Sequence, residues 1–509
     1  MRTLKFSLVS FGLGALAVLA LPPWHYVLVV LFSFSGLMSL LDRMETKKQA
    51  FILGYAFGAG FYGVGLSWVS EALRIENMGF SHLAFFPPLG FAIWGGMFPA
   101  AAALAAYKAP KGMRRLLAFS AAWLVFDWVR SWLFTGFPWN MLATMFSDTP
   151  VFLQTASIFG AYGLGFVITF TATLPYYISE NRRDMKKAFF AALGMVLMLS
   201  GLWGFGEHRL KNAPTDTIRG VRLRLVQANV PQGQKWNDKR SEEYLMKHVH
   251  LSRKDAEGIT HVIWPETATP FLLAQDEFAR SMAITAVKDG ALLITGGLRA
   301  EPNPDKKDYP PVNVYNSILV FNDIGELLGS YDKSHLVPFG EYAPFRSVLP
   351  FMKKLTPGAF DFETGGGVET KDIPRTLPAG MLVCYEVIFP GRVVDRTRRP
   401  YWLLNVTNDG WYGLSAGPHQ HFATTVMRAV EEGIPIVRSA NTGISGVIDA
   451  YGRVVAKLPL GEQGFVDSGL PRRTPEPPLY ARTGNLLPLN VSLAIILVCL
   501  VPIKRRKKP

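Results

Sequence analysis

Cysteine and charge are both scarce in this sequence. Cys384 and Cys499 are the only two cysteines among 509 residues, which excludes a disulfide framework and any multi-cysteine metal site. Charged residues make up 18% of the chain against 49% hydrophobic residues, and this balance excludes an intrinsically disordered chain. The apolar residues also lie in runs instead of being spread evenly, which argues against an ordinary soluble enzyme.

Long apolar runs occupy the first two fifths of the chain. A bilayer-spanning helix needs about 20 apolar residues, and the segments that reach or approach this length are 6–21, 25–42, 50–70, 82–107, 116–134, 151–178 and 187–205. The first is short and follows a basic N-terminus, as a signal peptide does. Pro22-Pro23 and the second run directly after it favour a helical hairpin instead. We therefore predict a transmembrane domain over residues 1–205 with about seven helices.

The character of the chain changes after this domain. Residues 220–470 alternate short apolar strands with polar helices, which is typical of a soluble α/β domain. Residues 471–485 are a proline-rich linker, and residues 486–503 form one further apolar span. Residues 504–509 are a basic tail.

Basic residues cluster on one side of the predicted spans. They precede the first span and follow the second, fourth, sixth and eighth, whereas the opposite short loops hold little beyond Arg74 and Arg130. The positive-inside rule places the basic groups, and with them both termini, in the cytoplasm. The 220–470 domain then lies outside the cytoplasm, which in a bacterium is the periplasmic face of a multi-pass inner-membrane protein. The net charge is +14, but the basic residues lie next to the predicted spans and not in a separate patch, so no nucleic-acid partner is predicted.

Two ionisable side chains lie within the fifth predicted span. Asp127 and Arg130 are three residues apart, so they share one face of a helix and can pair. An ionisable pair in a membrane helix invites a functional interpretation. A structural pair near the outer interface is the simpler interpretation.

Three strands of the α/β domain end in a reactive side chain. Glu266 follows the segment His-Val-Ile-Trp-Pro, Lys333 follows Tyr-Asp, and Cys384 follows Met-Leu-Val. Nucleophiles and ligands gather at the carboxyl ends of strands in α/β sheets. Each residue alone has an ordinary explanation, as a helix-start carboxylate, a solvated lysine or a small buried hydrophobic residue. Their coincidence at matching positions favours a catalytic site, and a free thiol kept in an oxidising compartment fits a nucleophile.

These motifs resemble the nitrilase superfamily, whose members use a Glu–Lys–Cys triad. With spans on both sides, the chain is most similar to the membrane-embedded apolipoprotein N-acyltransferase family, over essentially its whole length. The resemblance rests on WPE at Glu266, HLVPFGEY after Lys333, CYE at Cys384 and LNVTNDGW at 404–411. It implies an αββα sandwich, with Glu266 as general base, Lys333 as the lysine that stabilises the oxyanion, and Cys384 as nucleophile.

The same resemblance implies supporting or substrate-binding roles for Trp236, Glu341, Tyr385, Glu386 and Asn316. We expect Glu341 to hold Lys333 or Glu266 in place and Glu386 to shape the mouth of a pocket. Ion pairs that only support the fold are the alternative for both. The family implies neither a metal nor another cofactor.

The family also implies a two-stage acyl transfer that needs both lipids and a membrane. Cys384 takes an acyl chain from a phospholipid, typically phosphatidylethanolamine, and forms a thioester. The α-amino group of the lipidated N-terminal cysteine of a diacylglyceryl apolipoprotein then attacks it, in the final step of lipoprotein maturation. Moving an acyl chain out of a bilayer costs about 0.8 kcal/mol per exposed CH₂, which explains the apolar half. Residues 343–362 are unusually apolar for a periplasmic loop and are a candidate lid, or a loop packed on the domain's own core.

Other functions fit parts of the sequence. His335 suggests a Cys–His protease dyad, which the Glu–Lys–Cys set makes unnecessary, and His419 with His421 resembles part of a metal site without an evident third ligand. A membrane-tethered amidase acting on a small amide would use the same triad, but one anchor would suffice for it. A transporter-like protein with a degenerate binding domain is disfavoured by the intact set and by the few charges within the spans.

Overall fold

The chain divides into two compact units. The computed structural model describes residues 2–76, 79–306, 310–344, 354 and 361–501, without the side chain of Arg2. The first unit comprises Met1–Ser70, Phe85–Asn212 and Pro478–Pro509, and the second comprises Glu71–Ala84 and Ala213–Pro477. The short segment Glu71–Ala84 therefore belongs to the second unit, although the sequence analysis included it in the transmembrane domain.

Helices dominate the first unit. The α-helices of the described residues are α1 Arg2–Ala17, α2 Val29–Leu41, α3 Lys47–Gly65, α4 Glu71–Arg74, α5 Phe86–Lys108, α6 Met113–Arg130, α7 Pro150–Leu153, α8 Ala156–Glu180, α9 Met185–Lys211, α10 Ser241–Arg253, α11 Glu277–Ile284, α12 Ala416–Glu432, α13 Leu479–Thr483 and α14 Leu486–Leu500. Of these, α4 and α10–α12 belong to the second unit. The short helix α13 lies within the segment predicted as a linker.

A helix coincides with every predicted span, but fewer helices are long and apolar enough to cross a membrane. By length and composition four of the described segments qualify, namely Thr3–Ala20, Ser81–Lys108, Ala156–Glu180 and Met185–Lys211. A fifth qualifies if the bent pair Lys47–Gly65 and Ser67–Arg74 counts as one span. Helices α2 and α14 have only 13 and 15 residues, and α6 carries four charged side chains. The count of eight spans stays a prediction.

The predicted pairing of Asp127 with Arg130 is confirmed. Arg130 Nη2 lies 2.6 Å from Asp127 Oδ1 within α6, and both side chains are buried. Tyr62 Oη of α3 donates to the same carboxylate oxygen at 3.3 Å, and Arg130 also donates to the main-chain oxygen of Phe137. A buried charge pair needs such additional partners to offset desolvation. The pair ties α6 to α3, which supports a structural role.

Two six-stranded sheets form the core of the second unit in the described chain. The strands are β1 Thr217–Gln227, β2 His261–Ile263, β3 Leu292–Pro302, β4 Val312–Phe321, β5 Leu327–Asp332, β6 Thr370–Lys371, β7 Ala379–Val383, β8 Trp402–Thr407, β9 Ile436–Ala440, β10 Ser445–Ile448, β11 Val454–Leu458 and β12 Gly464–Pro471. The strand orders are β12-β1-β2-β3-β4-β5 and β11-β10-β9-β8-β7-β6. Strands β1–β3 are mutually parallel, as are β7–β9, and the outer strands pair antiparallel.

Alternate side chains of each strand enter different apolar layers, because successive residues of a strand point to opposite faces. Leu225 and Ile263 of the first sheet share a core with Met381 and Val437 of the second, so the two sheets face each other. On the other face of the first sheet, Trp264 and its neighbours pack against α10 and α11.

Helix α12 covers the outer face of the second sheet. Val437 of β9 points into the layer between the sheets, so the next side chain, Arg438, points outward, where it contacts Thr425 and His421 of α12. The resulting order of helix, sheet, sheet and helix is the predicted αββα sandwich, and the fold prediction is confirmed.

Candidate active site

The ends of β2 and β5 bring Glu266 and Lys333 to one edge of the first sheet. Strand β3 is parallel to β2, β4 reverses direction, and β5 reverses it again. The carboxyl ends of β2 and β5 therefore point the same way. Lys333 Nζ lies 3.8 Å from Glu266 Oε1, and both side chains are buried.

Cys384 lies on a sharp turn between β7 and the short 3₁₀ helix Cys384–Ile388. Its φ is +55°, in the left-handed region, which costs a residue other than glycine roughly 1–3 kcal/mol. Nucleophiles on strained strand-to-helix turns have this backbone. The side chain is 5% exposed, and Thr407 Oγ1 lies 3.5 Å from Sγ. The charges of Glu266 and Lys333 both act on the thiol, so the three residues predicted as a triad do converge.

The thiol of Cys384 needs a base at neutral pH. Burial first, and then the negative charge of Glu266, raise the pKa of Cys384 to about 12 despite the opposing charge of Lys333. Glu266 Oε1 accepts a hydrogen bond from Asn316 Nδ2 at 2.7 Å. Its other oxygen, Oε2, is buried and has no hydrogen-bond partner among the described residues. One carboxylate oxygen thus remains available to accept a proton.

Glu341 and Asn316 hold the other two polar groups in place. Lys333 Nζ donates to Glu341 Oε1 at 2.9 Å, and Asn316 Nδ2 donates to the same oxygen at 2.9 Å. The main-chain N–H of Val337 occupies the second oxygen at 2.8 Å. Burial by itself would lower the pKa of Lys333, but Glu341 and Glu266 outweigh it and raise that pKa, so the ammonium stays charged. Glu341 therefore contacts Lys333 directly and Glu266 through Asn316, as expected.

Glu386 holds together the loop after Lys333 and the turn at Cys384. Its carboxylate accepts from the main-chain N–H groups of Val383 at 2.7 Å, Ser334 at 2.8 Å and His335 at 3.0 Å. Tyr331 Oη also donates to it at 3.1 Å. The side chain is buried, and these contacts fit the alternative of a residue that supports the fold, while the role in shaping a pocket mouth stays a prediction. Glu386 ties the loop after Lys333 to the turn before Cys384.

The aromatic residues predicted for the site differ in burial. Tyr385 is buried, its hydroxyl donates to the main-chain oxygen of Leu336 at 2.6 Å, and Lys333 Nζ lies 5.3 Å from its ring centre. Trp236 is 39% exposed. Its neighbour Lys235, which the sequence analysis missed, is buried, and its Nζ donates to the main-chain oxygen of Glu266 at 3.1 Å. A lysine in a polar stretch looks solvated, so the adjacent Trp236 was the only signal in this segment.

A buried polar network lies next to the turn that carries Cys384. Asn405 Nδ2 donates to the main-chain oxygen of Cys384 at 3.1 Å. Asp409 accepts from Arg438 Nη2 at 2.7 Å and lies 2.8 Å from His421 Nδ1. Burial opposes ionisation of Asp409, but Arg438 and His421 outweigh it and lower the pKa of that carboxyl to about 2. His421 is therefore part of this network.

Three further predictions concern a metal site, His335 and the loop at residues 343–362. No group of three His, Cys, Asp or Glu side chains in the described part of the chain is placed to hold a metal ion. The ring of His335 packs against Tyr385 and Phe389, with centres 5.4 and 4.3 Å away. The candidate lid, residues 343–362, lies almost entirely outside the described residues.

Comparisons with known proteins cover both units. Residues 13–174 match the family described as apolipoprotein N-acyltransferase N-terminal domain, and residues 222–473 match the carbon-nitrogen hydrolase family. A solved structure of an amidase from Nesterenkonia sp. aligns with 50% of this chain and 92% of its own, at 20% identity and a TM-score of 0.35.

Full-length relatives are much more similar. An apolipoprotein N-acyltransferase from Bradyrhizobium diazoefficiens is 37% identical, over 99% of this chain and 95% of that protein. A protein of the same name from Rhodopseudomonas palustris is 33% identical, over 98% of this chain and 96% of its own. Identity at this level over nearly the whole of both chains shows common descent of both units together, and this chain belongs to the apolipoprotein N-acyltransferase family.

Proposed function

We propose that this chain transfers an acyl group from a membrane phospholipid to the α-amino group of the lipidated N-terminal cysteine of bacterial lipoproteins. The acyl group passes through a thioester on Cys384. The observation that carries the proposal is the buried cluster of Glu266, Lys333 and Cys384, in a chain of this family that also has helices long and apolar enough to cross a membrane.

The first half-reaction loads the cysteine. Glu266 Oε2 takes the proton from Cys384 Sγ, and the thiolate attacks the ester carbonyl of the phospholipid. Negative charge develops on the carbonyl oxygen, and the ammonium of Lys333 stabilises it. When the tetrahedral intermediate collapses, the C–O bond breaks and Glu266 returns the proton to the leaving alkoxide. A lysophospholipid departs, and an acyl thioester remains.

The second half-reaction transfers the acyl group from Cys384 to the lipoprotein. The neutral α-amine of the lipoprotein attacks the thioester carbonyl, and Glu266 takes a proton from the amine. The C–S bond then breaks, and the thiolate recovers that proton. The product is an amide. Because an amide is more stable than a thioester, no nucleotide is needed to drive the transfer.

The substrates are lipids on both sides of the reaction. Phosphatidylethanolamine is the proposed donor, and a diacylglyceryl apolipoprotein is the proposed acceptor. Apolar helices such as Met185–Lys211, of which only 6% of the most apolar stretch is buried inside the protein, keep the chain in the bilayer where both substrates reside. Each acyl CH₂ left in water would cost about 0.8 kcal/mol.

The proposed location is the bacterial inner membrane, crossed several times. The one-sided distribution of Lys and Arg supports cytoplasmic termini. It also supports a periplasmic position for the catalytic unit.

Intact-protein mass spectrometry in detergent tests the function. Wild type, Cys384→Ala and Cys499→Ser are each incubated with a phospholipid of known acyl chains, without an acceptor. We expect an acyl-sized, hydroxylamine-labile adduct on wild type and Cys499→Ser and none on Cys384→Ala. Addition of a diacylated lipopeptide should discharge the adduct and yield the triacylated product.

Two results would contradict the proposal. Discharge by water at the same rate as by the lipopeptide would favour the membrane-tethered amidase. No adduct with any phospholipid, from folded protein whose Cys384 still reacts with an alkylating reagent, would count against acyl transfer.

A further inference from the structure

A second buried ammonium group lies beside the cluster of Glu266, Lys333 and Cys384. The side chain of Lys235 is 3% exposed. Its Nζ donates to the main-chain oxygen of Glu266 at 3.1 Å, and this is its only hydrogen bond to the described residues. An ammonium has three donors, and burying it with one bond is unfavourable unless nearby charges compensate. The compensation must come from the charges that face it.

Those charges are the ones that the reaction uses. Glu266 and, once ionised, Cys384 attract the ammonium of Lys235. His248 of α10 also faces it, but burial lowers the pKa of His248 to about 4, so that ring is neutral near pH 8. Burial lowers the pKa of Lys235 to about 8 against the pull of Glu266 and Cys384.

The charge balance of the site depends on this lysine. Glu266 and Glu341 carry two negative charges, and Lys333 opposes them with one positive charge. Glu386 adds a further buried carboxylate, which main-chain N–H groups bind. Asp409 also acts on the Cys384 thiol, but Arg438 pairs with it and balances its charge. Without Lys235 the site would therefore be net negative before any thiolate forms. Like charges in a buried site disfavour further ionisation.

We propose that Lys235 is a positioning residue for thiolate formation: it holds Glu266 by the main-chain oxygen and supplies the second positive charge that lets Cys384 ionise. This role rests on the proposed function, since it takes Cys384 to be the nucleophile. In the step concerned, the proton leaves Cys384 Sγ for Glu266 Oε2, and one negative charge moves from carboxylate to sulfur. Lys235 binds Glu266 through the main-chain oxygen and not through the carboxylate, so its ammonium stays available to stabilise the thiolate once the proton has left.

A purely structural lysine would behave differently. Such a residue would only hold the segment after β2, and removing it would lower stability without changing how the thiol titrates. The pH dependence of Cys384 reactivity therefore separates the two roles.

The test measures alkylation of Cys384 by iodoacetamide in the full chain in detergent, between pH 6 and 10, with the adduct located by peptide mass spectrometry. Lys235→Met removes the charge, Lys235→Arg keeps it, and Lys239→Met removes the charge of an exposed lysine four residues away. For Lys235→Met we expect alkylation at least about tenfold slower at pH 7.5, which corresponds to a pKa one unit higher. Lys239→Met should match wild type.

The high-pH range provides a second comparison. In wild type the rise of log rate with pH should flatten near pH 8, where Lys235 loses its proton, whereas Lys333 stays charged. Lys235→Arg should show no such bend, because arginine does not deprotonate in this range. Superimposable profiles for wild type, Lys235→Met and Lys239→Met would overturn the proposal. If Lys235→Met does not fold, Lys235→Gln, which also removes the charge, takes its place, and a Lys235→Gln profile that superimposes on that of wild type would overturn the proposal.

The same preparations distinguish this proposal from the proposed function. Wild type that is alkylated with the expected dependence on Lys235 but forms no acyl adduct would refute acyl transfer and leave the role of Lys235 intact. If the protein transfers acyl groups but the pH profiles of Cys384 alkylation do not change when Lys235 is replaced, the role of Lys235 would be refuted and acyl transfer would stand.

Discussion

The three buried carboxylates of the site, Glu266, Glu341 and Glu386, have the same side chain but different hydrogen-bond partners. They therefore differ in whether they can accept a proton. Glu266 has one oxygen bound by Asn316 and one without a partner among the described residues. Both oxygens of Glu341 are occupied, by Lys333 and by the main-chain N–H of Val337. Glu386 is surrounded by donors on both oxygens. Only Glu266 is therefore free to accept a proton, whereas the other two hold structure.

Replacement of Glu386 tests its role as a brace. In Glu386→Gln an amide NH₂ takes the place of one oxygen and faces main-chain N–H groups, either of Val383 or of Ser334 and His335. Buried donors left without acceptors cost about 1–3 kcal/mol each, so we expect unfolding to become easier by roughly 3 kcal/mol. Thioester formation should fall as well.

Denaturant unfolding in detergent, followed by tryptophan fluorescence, measures this change. Glu326→Gln, at an exposed carboxylate of the same unit, should stay within about 0.5 kcal/mol of wild type. A stability of Glu386→Gln equal to that of Glu326→Gln would show that the hydrogen bonds to Glu386 contribute little.

At the scale of elements, a close approach of two segments positions Glu266, the proposed base. The segment that follows β2 runs beside β3 and is held there by two main-chain hydrogen bonds. The main-chain N–H of Trp264 donates to the main-chain oxygen of Ile294, and that of Ala268 donates to the main-chain oxygen of Gly296. A Cβ added at Gly296 would lie 2.5 Å from Cα of Glu266 and 2.6 Å from the oxygen of Pro265. Glycine at this position lets the segment that carries Glu266 lie against the strand.

We therefore predict that Gly296→Ala impairs catalysis far more than Gly297→Ala. The Cβ of an alanine at position 296 would clash with the main chain of Pro265 and Glu266 and would have to displace Glu266. A displacement near 1 Å lowers the rate about a hundredfold. The Cβ of an alanine at position 297 would meet only the end of Leu319, at 3.4 Å. The rate of acyl-adduct formation on each folded variant measures the difference. Equal rates for the two variants would contradict the inference that Gly296 positions the base.

At the scale of the whole molecule, membrane topology is the property to test. The described helices include four that qualify as spans by length and composition, or five with the bent pair, whereas the apolar runs of the sequence predict eight. Helices α2 and α14 are short for a crossing of about 30 Å. Single-cysteine labelling in cells decides the sidedness directly.

We expect a cysteine in place of Lys239 to react with a membrane-impermeant maleimide in cells with a permeabilised outer membrane. A cysteine in place of Arg182, which follows the sixth predicted span, should react only after lysis. Both are made in a background that carries Cys384→Ala and Cys499→Ser, so that each variant has one cysteine, and both positions are exposed. The opposite labelling pattern would place the catalytic unit in the cytoplasm.

Local sequence was sufficient to predict an α/β domain and to single out Glu266, Lys333 and Cys384, whereas the αββα sandwich was predicted from the family resemblance. The alternation of apolar residues marks the strands because side chains of a strand alternate between faces, and the apolar runs mark the helices because lipid and core demand them. Glu266, Lys333 and Cys384 stand directly after such strands or within three residues of them. Strand ends and short motifs are local features, so these residues could be predicted together.

The tertiary structure decided the features that depend on residues far apart in the chain. Lys235 meets the oxygen of Glu266, 31 residues away, and Glu386 meets Ser334, 52 residues away. The segment Glu71–Ala84 clusters with residues more than 100 positions later. Whether a lysine or glutamate is solvated or buried depends on what the fold packs around it, and no local pattern records that. Sequence thus specified the strands and the three proposed catalytic residues, whereas only packing determined which charges surround the thiol.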